Sequence, residues 1–119
     1  EIQEIVQIYD NSRAITSEDT AEIQRLKDEL GTGWCHRCDY CQPCPEDIRI
    51  SSVLVAGSMA RRMPKDKVVK NLGPAIAKAA DCVECRDCVP RCPYDLDIPE
   101  LLKTQAVKWQ EFESTGVWA

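Results

Sequence analysis

The eight cysteines of this 119-residue chain all fall in two runs. Cys35, Cys38, Cys41 and Cys44 read C-x2-C-x2-C-x2-C and are followed by Pro45. Cys82, Cys85, Cys88 and Cys92 read C-x2-C-x2-C-x3-C and are followed by Pro93, with the two runs starting 47 positions apart. Three thiolates at x2 spacing let a tight loop wrap an iron–sulfur cubane, each sulfur reaching a different iron. Backbone N–H groups of such a loop can turn toward the sulfurs and favour the more reduced, more negative state. The fourth cysteine leaves the loop, where its proline fixes the chain direction and offers no N–H. Structural zinc fits less well, because its ligands usually form two C-x2-C knuckles separated by a dozen or more residues. A disulfide framework needs an oxidising compartment, and no signal-peptide pattern opens the chain. The cysteines therefore point to two 4Fe–4S clusters and one-electron chemistry.

Nothing else in the sequence looks like a substrate-processing site. His36, the only histidine, lies between two candidate ligands and reads as a solvent-facing loop residue, since no acid–base partner is identifiable. Trp34 and Tyr40 flank the first run and are expected to shield it from water, which tunes potential. Arg61, Arg62, Lys65, Lys67 and Lys70 read as a solvated helix face. No Ser–His–Asp or Cys–His arrangement, carboxylate pair or phosphate loop stands out, and Gly31-x-Gly33 lacks the strand that a dinucleotide fingerprint requires.

The elements that must carry these loops read as helices throughout, an all-α fold. Ile2, Ile5, Val6 and Tyr9 recur at helical spacing over the first ten residues, until Asn11 and Ser12 interrupt them. Thr16 or Ser17 makes an N-cap with Glu18 and Asp19 in the first turn. Ala21, Ile23, Leu26 and Leu30 supply a stripe that Gly31 should stop, with Gly31-Thr32-Gly33 leading into the first cysteine loop. After Pro45 the pattern predicts one helix from Ser51 to Met63, with Val53, Leu54, Met59 and Met63 available for burial and Pro64 as its end. Val68, Val69 and Leu72 predict a shorter helix closed by Gly73, and Pro74 is placed at N1 of another that runs to Ala80. Pro99 opens a last helix carrying Leu101, Leu102, Val107, Trp109 and Phe112.

A repeat underlies the cysteines. From Cys44 to Leu54 and from Cys92 to Leu102 both segments read Cys-Pro-x-Asp-(Ile or Leu)-x-Ile and then a helix. Two pseudo-symmetric halves are expected, each a cysteine loop feeding a helix. The division expected is a helical lead-in at 1–34 and a two-cluster domain at 35–119.

Composition narrows the setting. A chain this short buries only a modest core, and cysteine-rich domains of its size commonly rely on metal or disulfide staples. Metal is thus expected to contribute to folding, leaving a cluster-free chain poorly folded. The formal net charge of −5 falls to about −9 with eight thiolates and two oxidised clusters, which argues against nucleic acid as a partner. No apolar run is long enough to span a membrane. The expected compartment is reducing and cytoplasmic, and the opening on Glu1 is read as a processed or excised chain.

The second run resembles the bacterial ferredoxin pattern, in which the fourth cysteine ligates the other cluster. By that rule Cys35, Cys38, Cys41 and Cys92 hold one cluster, while Cys82, Cys85, Cys88 and Cys44 hold the other. Residues 15 to 104 as a whole resemble the C-terminal iron–sulfur extension of a subfamily of aldo/keto reductases. The first run is similar to that family's C-x2-C-G-Y-C-x-P-C-P-x-G-I-x-I, through Cys35, Cys38, Tyr40, Cys41, Pro43, Cys44, Pro45, Ile48 and Ile50. The second is similar to C-x-E-C-G-x-C-x3-C-P-Y-x-L-x-I-x-E-x-L, through Cys82, Glu84, Cys85, Cys88, Cys92, Pro93, Tyr94, Leu96, Ile98, Glu100 and Leu102. Asp39 and Arg86 stand where that family usually has glycine, the residue that takes positive φ most easily. The resemblance implies an oxidoreductase whose catalytic (β/α)8 barrel precedes this helical ferredoxin-like module and is absent from these residues, so no catalytic residue carries over. Two other readings stay open: a separate helical ferredoxin subunit resembling fumarate reductase-type iron–sulfur proteins and serving another redox protein, or a structural zinc-binding interaction module.

Overall fold

A computed structural model describes residues 1–30 and 33–118. Among the described residues helix accounts for 57%, and no strand occurs. The chain divides into two compact units, Glu1–Thr32 and Gly33–Ala119.

The first unit holds α1 (Ile2–Asp10) and α2 (Ser17–Leu30). No residue of α1 is buried, so Ile2, Ile5, Val6 and Tyr9 form a face without a core behind it. Thr16 caps α2 as the sequence implies: its hydroxyl accepts from the Asp19 N–H, and the Asp19 carboxylate accepts from the Thr16 N–H and hydroxyl. This reciprocal arrangement is a capping box with aspartate in the glutamate place. Arg13 adds a two-pronged pair to the same carboxylate. The expected stop at Gly31 and the Gly31-Thr32 lead-in lie outside the described residues.

The second unit packs α3 (Ile50–Leu54), α4 (Ala56–Ala60), α5 (Lys65–Ala79) and α6 (Ile98–Thr115) around one apolar core. The single helix predicted from Ser51 to Met63 is two short pieces jointed at Val55 (φ −95°, ψ 3°). Ser51, Ser52, Val53, Val55 and Gly57 are all poor helix formers, so packing sets the path here. Gly57 lies directly beneath the buried Trp118 indole, which leaves no room for a side chain.

The predicted break at Gly73-Pro74 is absent, because α5 runs straight through both residues. Proline normally clashes with the Cβ of the residue before it, and Gly73 has none. The missing Pro74 N–H removes one hydrogen bond, while Val68, Leu72, Ile76 and Ala79 continue one buried or half-buried stripe across the site. Burial of that stripe outweighs the local penalty.

Proline at the second position of α6 fits the expected start, and Gly116 (φ 77°) ends the helix as an unpredicted left-handed cap whose N–H donates to Phe112 O at 2.8 Å. Trp109, Phe112 and Trp118 form an aromatic cluster with centroids 5.6 to 6.4 Å apart. Val107 of α6 is 68% exposed. No described helix is long and apolar enough to cross a membrane.

Candidate iron–sulfur centres

Each cysteine loop leads into a buried anchor. Ile48 and Ile50 after the first run, and Leu96 and Ile98 after the second, are all at most 5% exposed. They pin Cys44 and Cys92 at the entrances of α3 and α6. In both places the same hydrogen bonds recur, from the Asp47 N–H to Cys44 O and from the Asp95 N–H to Cys92 O. Tight bonds from Ile50 to Ile48 O and from Ile98 to Leu96 O follow, each 2.9 Å.

The backbone within the loops is unusual. Six non-glycine residues have positive φ: Arg37, Asp39 and Asp47 in the first loop, Glu84, Arg86 and Asp95 in the second, between 52° and 63°. They occupy corresponding positions of the two runs. Left-handed conformation costs an ordinary L-residue roughly 1–2 kcal/mol. Turns that alternate right- and left-handed conformations direct successive N–H groups into an anion-binding concavity, which gives that strain a use. The Arg37 N–H already donates to Cys35 Sγ at 3.4 Å. Asp39 and Arg86 thus adopt the glycine-like geometry despite their side chains.

The thiols are grouped by charge and space. Burial raises the Cys35 thiol pKa, and the neighbouring Cys38 and Cys92 add to the rise. Burial likewise raises Cys88, with Cys85, Cys44 and Cys82 adding to it. Cys44, Cys82, Cys85 and Cys88 together line one cavity of about 360 Å³, counted to its open mouth, whose other walls include Ile48, Ile50, Pro99 and Leu102. Cys41 is pushed up to about 11 by burial, with Cys35, then Asp39 and Cys88, adding to the rise. Cys38 and Cys85, at matching positions, are exposed.

Thiolate donors suit iron–sulfur clusters, and buried thiols must surrender protons when metal binds. Among the described residues no group of three or more His, Cys, Asp or Glu side chains is gathered for a single metal ion. A cubane makes a different demand, with each thiolate reaching its own iron corner.

Several neighbours of the cysteines escaped sequence reasoning. Gln42 donates through Nε2 to Ile48 O at 2.8 Å and accepts from the Cys44 N–H at 2.9 Å, which braces the exit of the first run. His36 is exposed but stacked, lying between Trp34 (centroids 4.1 Å) and Tyr94 (3.7 Å). Trp34 and Tyr40 stay 56% and 66% exposed, so neither buries the loop as expected. Arg91 bridges the loops, donating through Nε to Asp87 O at 2.7 Å and through Nη1 to Pro43 O at 3.0 Å. Only the C-x3-C gap that contains Arg91 could have drawn attention to it.

A family profile described as a 4Fe-4S dicluster domain matches residues 34–97, from Trp34 to Asp97, and so covers both cysteine runs. No curated protein and no solved structure matches the chain.

Proposed function

We propose that this chain, which belongs to the 4Fe-4S dicluster domain family, relays single electrons as one module of an aldo/keto reductase-like oxidoreductase working in the cytoplasm. Two 4Fe–4S clusters supply the one-electron redox chemistry when bound. Under this proposal Cys35, Cys38, Cys41 and Cys92 hold the first, and Cys82, Cys85, Cys88 and Cys44 hold the second. The observation that carries the crossed assignment is the company each fourth cysteine keeps. Cys92 neighbours Cys35, and Cys44 shares a cavity with Cys82, Cys85 and Cys88.

The protein's own groups then divide the work. Exposed Cys38 and Cys85 mark the outer edges, where electrons enter and leave. Cys41 and Cys88 lie at the seam between the two sets, the short path from one to the other. The left-handed turns at Arg37, Asp39, Glu84 and Arg86 present backbone N–H groups to the added negative charge. The barrel context rests on the resemblance of both runs, including the uncommon x2 gap before Cys44 and the Pro93-Tyr94 pair.

Two measurements on oxygen-free protein test this reading. About eight iron and eight sulfide per chain are expected. In the proposed parent oxidoreductase, a reduced nicotinamide nucleotide should bleach the cluster absorbance. Clusters that stay oxidised with that nucleotide yet accept electrons from a chemical reductant would remove the barrel from the proposal and leave the relay.

A further inference from the structure

Arg91 is the residue by which the second run exceeds the first. Between its third and fourth cysteines the first run has Gln42-Pro43, and the second has Val89-Pro90-Arg91. The inserted guanidinium hydrogen-bonds to Asp87 O and Pro43 O, carbonyls of the residues immediately before Cys88 and Cys44. It also lines the cavity that Cys44, Cys82, Cys85 and Cys88 share. Other charged groups on that side include Glu46 on the cavity wall, Asp87 between Cys85 and Cys88, Asp81 paired with Lys78 at 2.8 Å, Arg86 paired with Asp97 at 3.2 Å, and Lys103 paired with Glu84 at 2.8 Å. Arg91 differs from the paired cations, because its acceptors are neutral carbonyls and its full charge persists.

The first thiolate set has no counterpart to this insertion. Asp39, between Cys38 and Cys41, occupies the place that Arg86 takes in the second run. A cation close to a site favours an added electron and an anion opposes it. Arg37 and Glu84 are exchanged in the opposite sense, and Asp87 adds a carboxylate to the second run alone, so the difference that favours the second set is the Arg91 guanidinium on its cavity wall.

We propose that Arg91 is a positioning residue that clasps the two cysteine loops together and holds the second thiolate set at the higher reduction potential, so that an electron entering the domain comes to rest there. The proposal rests on the crossed ligand reading above. The directed step moves one electron from the reduced first cluster to the oxidised second one, with no bond made or broken and no proton transferred.

The test is an anaerobic redox titration of the loaded chain, followed by electron paramagnetic resonance at each cluster. Cys44→Ser and Cys85→Ser identify the second cluster by changing its signal. Arg91→Gln is expected to lower the reduced-to-oxidised ratio of that cluster about tenfold at fixed potential, which is 59 mV for one electron. The first cluster should move less than half as far, and Arg91→Lys, which keeps the charge, should restore most of the gap. Asp39→Asn provides an independent variant with Arg91 intact, and asparagine tolerates the φ of 59°. It should raise the first cluster and narrow the gap even if Arg91→Gln fails to load. Should Cys44→Ser and Cys85→Ser change different signals, the ligand reading fails and takes this proposal with it. If they change the same signal but Arg91→Gln moves both clusters equally or neither, the proposal alone is overturned.

Discussion

Removing one crossing cysteine and removing both should have unequal consequences, and the inequality can be calculated. Consider Cys44→Ala, Cys92→Ala and the double variant, each loaded with clusters held by the remaining three cysteines of its run. With crossed ligands, the tie from Cys41 to Cys92 spans 51 positions and the tie from Cys44 to Cys82 spans 38. A cross-link of either length, acting alone, withdraws about 4 kcal/mol of freedom from the unfolded ensemble. Once one is made, the other closes only a small ring through Cys41–Cys44 and Cys88–Cys92 and adds about 2 kcal/mol. Each single variant should thus lose about 2 kcal/mol and the double about 6, an excess of about 2 over the sum of the singles.

Uncrossed runs behave otherwise. With its other three cysteines bound, each fourth cysteine would close only the short ring from Cys41 to Cys44, three positions, or from Cys88 to Cys92, four. Each loss would then be about 2 kcal/mol, and the losses would add. The single variants scarcely separate the two arrangements; the double variant does. Anaerobic urea unfolding, read by cluster absorbance and by helical circular dichroism on variants of verified iron content, measures the excess. An excess below about 0.5 kcal/mol, the ordinary limit of additivity, would refute the crossing.

Two further predictions address what supports the site. A methyl group at Gly57 would lie 2.6 Å from Trp118 Nε1 and 2.9 Å from its Cε2, so Gly57→Ala should destabilise the second unit by about 1–3 kcal/mol through overpacking. Trp118→Leu should relieve most of that cost in the double variant; equal destabilisation in both backgrounds would show that the clash is not its source. In the first unit, the Arg13 guanidinium, and after it the Thr16 N–H and hydroxyl, hold the Asp19 carboxyl well below the usual carboxylate range. A depressed acid stabilises the fold above the unfolded pKa, near 4, and that contribution fades as pH falls below it toward the folded value. Amide protection in the first turns of α2 should therefore be full at neutral pH and decline in acid, and Asp19→Asn should flatten the profile.

The helical class was legible because apolar periodicity is a local property, and so was the Thr16 cap, whose partners lie three residues apart. Periodicity could not arbitrate where local and distant effects oppose each other. At Gly73-Pro74 the local signal for a break was sound, yet the glycine removes the clash that proline usually imposes, and burial of Val68, Leu72, Ile76 and Ala79 favours one helix. At Val55 the expected single helix is two short pieces, in a stretch where Ser51, Ser52, Val53, Val55 and Gly57 are poor helix formers and apolar spacing alone suggested continuity.

The same division separates what could be read of the site from what could not. Cysteine spacing encodes a loop's reach for metal, so both runs were visible without coordinates. Glycines at positions 39 and 86 would have announced positive φ; Asp39 and Arg86 conceal it, and only the backbone reveals it. The groups that make the two sites unlike each other act across the fold. Tyr94 meets His36 from the other run, and Arg91 reaches Pro43, forty-eight positions back, from a gap whose extra residue reads only as a spacing variant. A repeat in sequence shows what two halves share. Direction in an electron relay needs a difference between them, and under the proposal above the inserted Arg91 supplies it.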